Sequence, residues 1–393
     1  MIKFFNEKQV AFVFIVICGG IYLLFRKNTL FYGLIFLLIS WLGSWFLFPW
    51  KMIVFMFVMI CLFLLWSMLF HFLNWQQFSI KSSLTKIPEP YNLRLRLINF
   101  LRVKDLQAAN FIELIVFNSK NPKINSFYKQ LINLGLIHLI SVSGFHLSLL
   151  SSIIYKILKK RLRLAKITSF FVCLFYGFLL GYGFAILRVL VASFLNFFKF
   201  TKSSNQPLLK TVLSGLIILL INPFAVNNLG FQLSFLGTIV LCSMLYANHW
   251  SKIILAIITS LLINFLSAPI ILKLNQKIHL LIIFNSWIFT PIISFYYIAS
   301  LLLYPFWFLW PYLDWFYLSL QSSVDLLAQL NWYFELKNNL PITIYFLYYL
   351  LFFIILLVWI HYYQLKAIDF LKHDHHSFSR SRVNQFTITQ NSW

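Results

Sequence analysis

The chain has 393 residues, of which 61% are hydrophobic and 10% charged, which excludes an ordinary soluble domain and leaves room for about eleven or twelve helical spans of roughly 20 apolar residues each. Its 32 Lys and Arg face 9 Asp and Glu for a formal net charge of +23, and no carboxylate lies between Glu113 and Asp314, across 200 consecutive residues. Positive-inside topology explains part of the excess, but cation-coupled transporters and metal carriers place Asp or Glu in the membrane, so the missing acids disfavour that class and suit an anionic substrate such as nucleic acid, phosphate or acidic lipid.

Three spans open the chain, at 9–25, 29–48 and 52–73. The first follows Lys3 and Lys8 but lacks a small-residue cleavage site, so it reads as a span and not as a signal peptide. Residues 74–133 form the longest non-spanning region, with nine Lys and Arg against Glu89, Asp105 and Glu113. There Leu97, Leu101, Ala108, Phe111, Ile112 and Ile115 share one helical face, and Asn99, Arg102, Asn110 and Glu113 the other. That pattern fits one helix lying flat in the membrane interface, or equally one packed on a loop. Residues 134–151 are long enough to cross a bilayer, yet they carry His138 and His146 around a polar break of Ser141, Ser143 and Gly144. Unpaired polar groups are costly in hydrocarbon, so this segment is expected to face other helices or a wet cavity. On a regular helix the two histidines would sit about 80° apart at 3.6 residues per turn, so they share a lumen only if the break re-aims the second.

Lys159, Lys160, Arg161 and Arg163 crowd the short connection before a span at 167–182, and place that connection in the cytoplasm. Counting spans outward puts both termini inside and 74–133 outside, where a basic surface suits capture of a polyanion. The span at 185–198 carries Arg188 near its external end, where it either snorkels to head groups or faces a path. The span at 208–221 stops at Asn222 and Pro223. The chain re-enters at Gly230, with Gln232 and Ser234 inside an apolar run as interhelical glue or as ligands. The spans at 253–271 and 280–303 are broken by Pro269 and Pro291, with Asn264 and Asn285 upstream to satisfy the freed backbone groups.

Residues 304–320 read as a weaker span, 322–339 as an amphipathic surface helix and 342–363 as the last span. The tail at 364–393 is polar and expected to be disordered; its His373, Asp374, His375 and His376 read as a solvated cluster or as a metal binder. Cys18, Cys61, Cys173 and Cys242 lie in apolar spans without metal-ligand spacing and read as free core thiols. The sum is an all-α polytopic membrane protein of the plasma membrane, with interfacial amphipathic helices, in segments 1–73, 74–133, 134–303, 304–363 and 364–393.

Four motifs align in order with one family. Residues 135–146, GLIHLISVSGFH, resemble the "G-hHLhAhSGhH" signature of the competence DNA-internalisation channels, the ComEC family. Gly183 to Arg188 resembles that family's "RA" helix, with Val189 in place of the usual Ala. Residues 222–235, NPFAVNNLGFQLSF, are similar to its "NP…GFQLSF" segment, and Asn285 to Pro291 resembles its "N…P" helix. The resemblance covers about residues 106–303. Family members commonly add an external OB-like domain, and many a metallo-β-lactamase-like domain with an HxHxDH zinc motif. Neither fits here, so a minimal membrane core without nuclease activity, metal or cofactor is expected.

What the resemblance implies is passage of one DNA strand through the membrane. Fixed cations would offset desolvation of the phosphates, and a carboxylate would repel them. Arg188 would supply positive potential, His138 and His146 polar contacts, and Ser141, Ser143 and Gly144 a close backbone approach. Helices carrying Gln232, Ser234 and Asn285 would form the remaining walls. Without a P-loop the driving force is expected from a cytoplasmic ATPase motor, with an external DNA receptor, a separate nuclease, membrane lipid and a second copy of the chain as further partners. Two rivals stay open: a transporter or flippase for an anionic lipid or sugar-phosphate, and a polytopic transferase with a histidine base.

Overall fold

A computed structural model describes residues 7–26, 29–73, 75, 92–103, 106–136, 144–198, 207–244, 251–275, 277–279, 281–329, 333–335, 341, 343–351 and 353–354. The chain divides into two compact units, Met1–Tyr22 with Cys61–Asn339, and Leu23–Ile60 with Leu340–Trp393.

In the smaller unit, the hydroxyl of Thr29, just ahead of α2 (Leu30–Leu47), donates to the Leu23 carbonyl at 2.6 Å. Helix α2 packs through Phe36 onto Phe353 and through Tyr32 onto Phe346, in a helical stretch at 343–351 and 353–354. α3 (Trp50–Phe72) contributes to both units.

The larger unit begins with α1 (Glu7–Leu24), whose Phe14 packs at a tilt against the rings of Phe231 and Phe235. After it come α4 (Leu93–Val103), α5 (Ala109–Phe117), α6 (Asn125–Asn133), α7 (Gly144–Ile157), α8 (Leu162–Leu180), α9 (Phe184–Leu195), α10 (Pro207–Ile221), α11 (Leu229–Met244), α12 (Lys252–Asn275), α13 (Ile282–Leu303) and α14 (Trp310–Gln329). A small antiparallel ribbon pairs β1 (Lys277–His279) with β2 (Tyr333–Glu335), Ile278 opposite Phe334. The architecture is all-α and polytopic. Among the described residues α3, α8, α12 and α13 are long and apolar enough to cross a membrane alone, and six further apolar helices are shorter.

The core is organised around α5, and here the expected single surface helix gives way. The 97–115 pattern is two helices, α4 and α5, and every residue of α5 except Asn110 is buried. A helix enclosed on all sides cannot lie flat in an interface. Its hydrogen-bonding partners come from three other helices, α4, α8 and α14. Glu113, placed on the polar face by periodicity, is fully buried, because Arg102 of α4 reaches it with two hydrogen bonds, at 2.6 and 3.0 Å, and Ser119 donates to it at 2.7 Å. Asp314 of α14 accepts from the Ala108 amide at 2.6 Å, a carboxylate at the positive end of α5. Tyr176 of α8 donates to the Val116 carbonyl, and Arg94 of α4 to the carbonyl of Phe117. Burial holds the Arg94 guanidinium below its usual range, opposed by the charge of Glu113.

Four further expectations are corrected. α12 and α13 run through Pro269 and Pro291 without a break in assigned helix. Nor do the asparagines answer the prolines, since Asn264 donates to Ser260 in its own helix and Asn285 to Leu134 elsewhere. α14 extends from Trp310 to Gln329, so no separate amphipathic helix starts at Ser322. Cys61 is exposed on α3, whereas Cys173 and Cys242 are buried; none of the four cysteines is in a disulfide. His373, Asp374, His375 and His376, with the tail they belong to, lie outside the described residues.

Candidate functional site

The segment at 134–151 is not one helix. α6 ends at Asn133, and the chain turns at Gly135 with φ of 75°, a left-handed conformation that favours glycine. The Leu136 amide donates to Leu131 and the Gly135 amide to Ile132, the paired bonds of a left-handed helix cap. A Cβ on Gly135 would stand 2.6 Å from Ile282 at the start of α13. One turn further along α13, buried Asn285 donates to the Leu134 carbonyl at 3.2 Å and fastens this turn.

Helix α7 is described from Gly144, the last residue of the anticipated polar break, onward. His138, Ser141 and Ser143 lie outside the described residues. His146 is in the first turn of α7, and only its backbone is described.

Gly144 is where three of the anticipated site residues meet. α8 ends in a left-handed turn at Gly181 and Tyr182, and α9 starts at once, which puts Arg188 in its second turn. The Arg188 Nε donates to the Ser234 hydroxyl of α11 at 2.7 Å. Its Cζ lies 5.9 Å from the centroid of the Phe235 ring, within cation–π range. A Cβ on Gly144 would come within 2.7 Å of Arg188 Nη2 and of Val189 Cγ2, and 3.2 Å of the Ala185 carbonyl. Only glycine lets the α7 terminus approach the guanidinium so closely. The guanidinium therefore lies against Gly144 of α7, and its hydrogen bond goes to the neutral hydroxyl of Ser234.

Ser234 is delivered there by a rigid corner. Asn222 accepts from the Phe224 amide at 2.9 Å and opens a 3-10 turn, Pro223–Asn227. Asn228 then accepts from the Gly230 amide at 2.9 Å and caps α11. Gln232 donates to the Val226 carbonyl at 2.7 Å and braces helix to turn. Among the described residues Gln232 and Asn285 form their bonds away from Arg188. Periodicity gives no sign of Phe235, Asp314 or the Glu113–Arg102 pair. An aromatic directly after Ser234 is the one available signal for Phe235.

A protein-family model described as "Competence protein" matches residues 115–362. An uncharacterized MG316 homolog of Mycoplasma pneumoniae is 36% identical over 267 residues, covering 64% of this chain and 70% of the relative. The uncharacterized MG316 protein of Mycoplasma genitalium is 33% identical over 202 residues, covering 51% of this chain and 53% of the relative. No solved structure matches the chain.

Proposed function

Because this chain belongs to the competence protein family, we propose that it is the multi-pass plasma-membrane channel through which single-stranded DNA enters the cell during uptake, with both termini cytoplasmic. The observation that carries this reading is Arg188, held by Ser234 against the start of α7, inside a stretch with no Asp or Glu from residue 114 to 313. An arginine within a membrane domain costs about 2.5–3.5 kcal/mol on insertion scales. A passing phosphodiester would return part of that cost, and neighbouring carboxylates would cancel the attraction. Phe235 beside the guanidinium offers a face on which a base can stack, worth about 1–3 kcal/mol.

On this reading the chain is a conduit without catalysis of its own. A cytoplasmic ATPase supplies the force, an external receptor presents the DNA and a separate nuclease removes the second strand. The test is uptake of labelled DNA into a nuclease-protected state by cells deleted for this gene and complemented with it. Loss on deletion and return on complementation support the channel. Unchanged uptake refutes it, and a shift in outer-leaflet lipid composition with uptake intact would instead favour an anionic-lipid flippase.

A further inference from the structure

Residues 74–133 carry nine Lys and Arg, and the structure separates those that serve the fold from those that do not. Arg102 is held by Glu113, and Arg94 donates to the carbonyls of Phe117 and Asn118 at 2.8 and 3.4 Å. Arg96 is exposed on α4. Lys120, Lys123 and Lys129 are exposed within one short segment, and among the described residues none of the three is in an ion pair. Local structure gathers them. Asn121 accepts from the Lys123 amide at 3.1 Å and opens the 3-10 turn Pro122–Ile124, which runs directly into α6. That turn folds the chain back so that the Lys120 ammonium lies 3.9 Å from the centroid of the Tyr128 ring, a cation–π contact. Lys129, next to Tyr128, is exposed with Ser126, while Phe127 and Leu131 of the same helix are buried.

Two observations point to the partner. Three ammonium groups stand between residues 120 and 129, with no Asp or Glu from residue 114 to 313 to oppose them, and such a patch attracts a polyanion and holds it through its phosphates. A helix that binds a membrane surface turns its apolar face outward into the lipid. Here Ile124, Phe127 and Leu131 are buried, and among the described residues from 118 to 136 no large apolar side chain is exposed. The surface is polar as well as basic, which fits a soluble strand and not a bilayer. We propose that Lys120, Lys123 and Lys129, with Tyr128 positioning Lys120, form a landing surface for the phosphate backbone of single-stranded DNA. Contacts to phosphate carry no sequence information, so the surface takes any sequence. The choice of DNA among polyanions rests on the channel reading; the capture of a phosphate backbone does not.

The test uses the full chain in nanodiscs of neutral phosphatidylcholine, with binding of a labelled dT oligomer followed by fluorescence anisotropy against salt. Lys120→Gln, Lys123→Gln and Lys129→Gln combined should lower the salt slope by about 0.7 for each phosphate no longer neutralised, about 2 in all. The same three positions changed to Arg should preserve it. Tyr128→Leu should weaken binding about two- to fivefold, the worth of an exposed cation–π contact, whereas Tyr128→Phe should not. Lys51→Gln, an exposed change of the same charge in the other unit, should leave binding unmoved. The surface is overturned if the wild type binds no dT, if the triple Gln variant keeps the wild-type slope, or if Lys51→Gln lowers the slope as much as one of the three. Loss by the triple variant of phosphatidylglycerol retained through purification from mixed vesicles, with dT binding unchanged, overturns it in favour of a membrane contact. Entry of dT into proteoliposomes separates the surface from the channel. Binding through the lysines without entry upholds the surface and refutes the channel, and entry with a binding slope indifferent to the lysines refutes the surface and leaves the channel standing.

Discussion

Substituting Gly144 by alanine sets two physical effects against each other. Alanine is favoured over glycine in helices by up to about 1 kcal/mol, and at the first position of α7 this would stabilise the protein if space were free. Space is not free, because the new Cβ would stand 2.7 Å from both Arg188 Nη2 and Val189 Cγ2, and 3.2 Å from the Ala185 carbonyl. The guanidinium can swing aside, but Val189 is branched and the carbonyl belongs to a helix. Overpacking of this kind costs about 1–3 kcal/mol, so Gly144→Ala should be net destabilising by about 1–2 kcal/mol. Trimming one obstacle should restore part of it, so the pair with Val189→Ala should show a favourable coupling of about 0.5 kcal/mol or more. Reversible unfolding of the purified protein in mild detergent measures both quantities. If Gly144→Ala stabilises the protein, or if its effect and that of Val189→Ala are additive, the close approach of α7 to Arg188 is wrong.

Other substitutions report on the α5 core and on the turn before α7. Arg102→Ala should cost more than Glu113→Gln, about 3–5 against 1–3 kcal/mol, because the first strands a buried carboxylate whereas Arg102 is half-exposed and can turn to water; urea or SDS titration orders the two. Asp314→Ala removes the carboxylate at the start of α5 and should cost about 0.5–2 kcal/mol, with faster amide exchange at Ala108 as the local sign. Asn285→Ala deletes the bond to the Leu134 carbonyl and should destabilise by about 1–3 kcal/mol, seen as increased proteolysis near residues 134–136.

How far the sequence can be read depends on whether a feature is local. The corner at Asn222, Pro223, Gly230 and Gln232 is legible because capping and turn chemistry act over a few residues, and the structure builds it from those side chains. Arg188 and Ser234 each stand out as polar groups in apolar runs, but that they touch is a tertiary fact 46 residues apart in sequence. α5 is misread for the same reason. Periodicity sees Glu113 as polar and assigns it to water, whereas the pairing to Arg102, 11 residues earlier, lets it be buried. The end of α6 does carry a local mark, since a glycine just past an amphipathic run is a helix-stop signal. That mark is masked because the apolar residues after Gly135 continue at a density that suits a span. At Pro269 and Pro291 the expected break is overridden by helices that continue through the proline.

The central claim is that the charge of Arg188 serves a passing phosphodiester. Entry of a labelled dT oligomer into proteoliposomes of neutral lipid, scored as nuclease-protected label, isolates that step from receptor, motor and nuclease. Opposite charges about 4 Å apart attract by about 4 kcal/mol at an effective dielectric of 20, so even a partial contribution predicts entry at least tenfold slower for Arg188→Gln, with Arg188→Lys intermediate. Equal entry for wild type and Arg188→Gln, with both folded, would contradict the account.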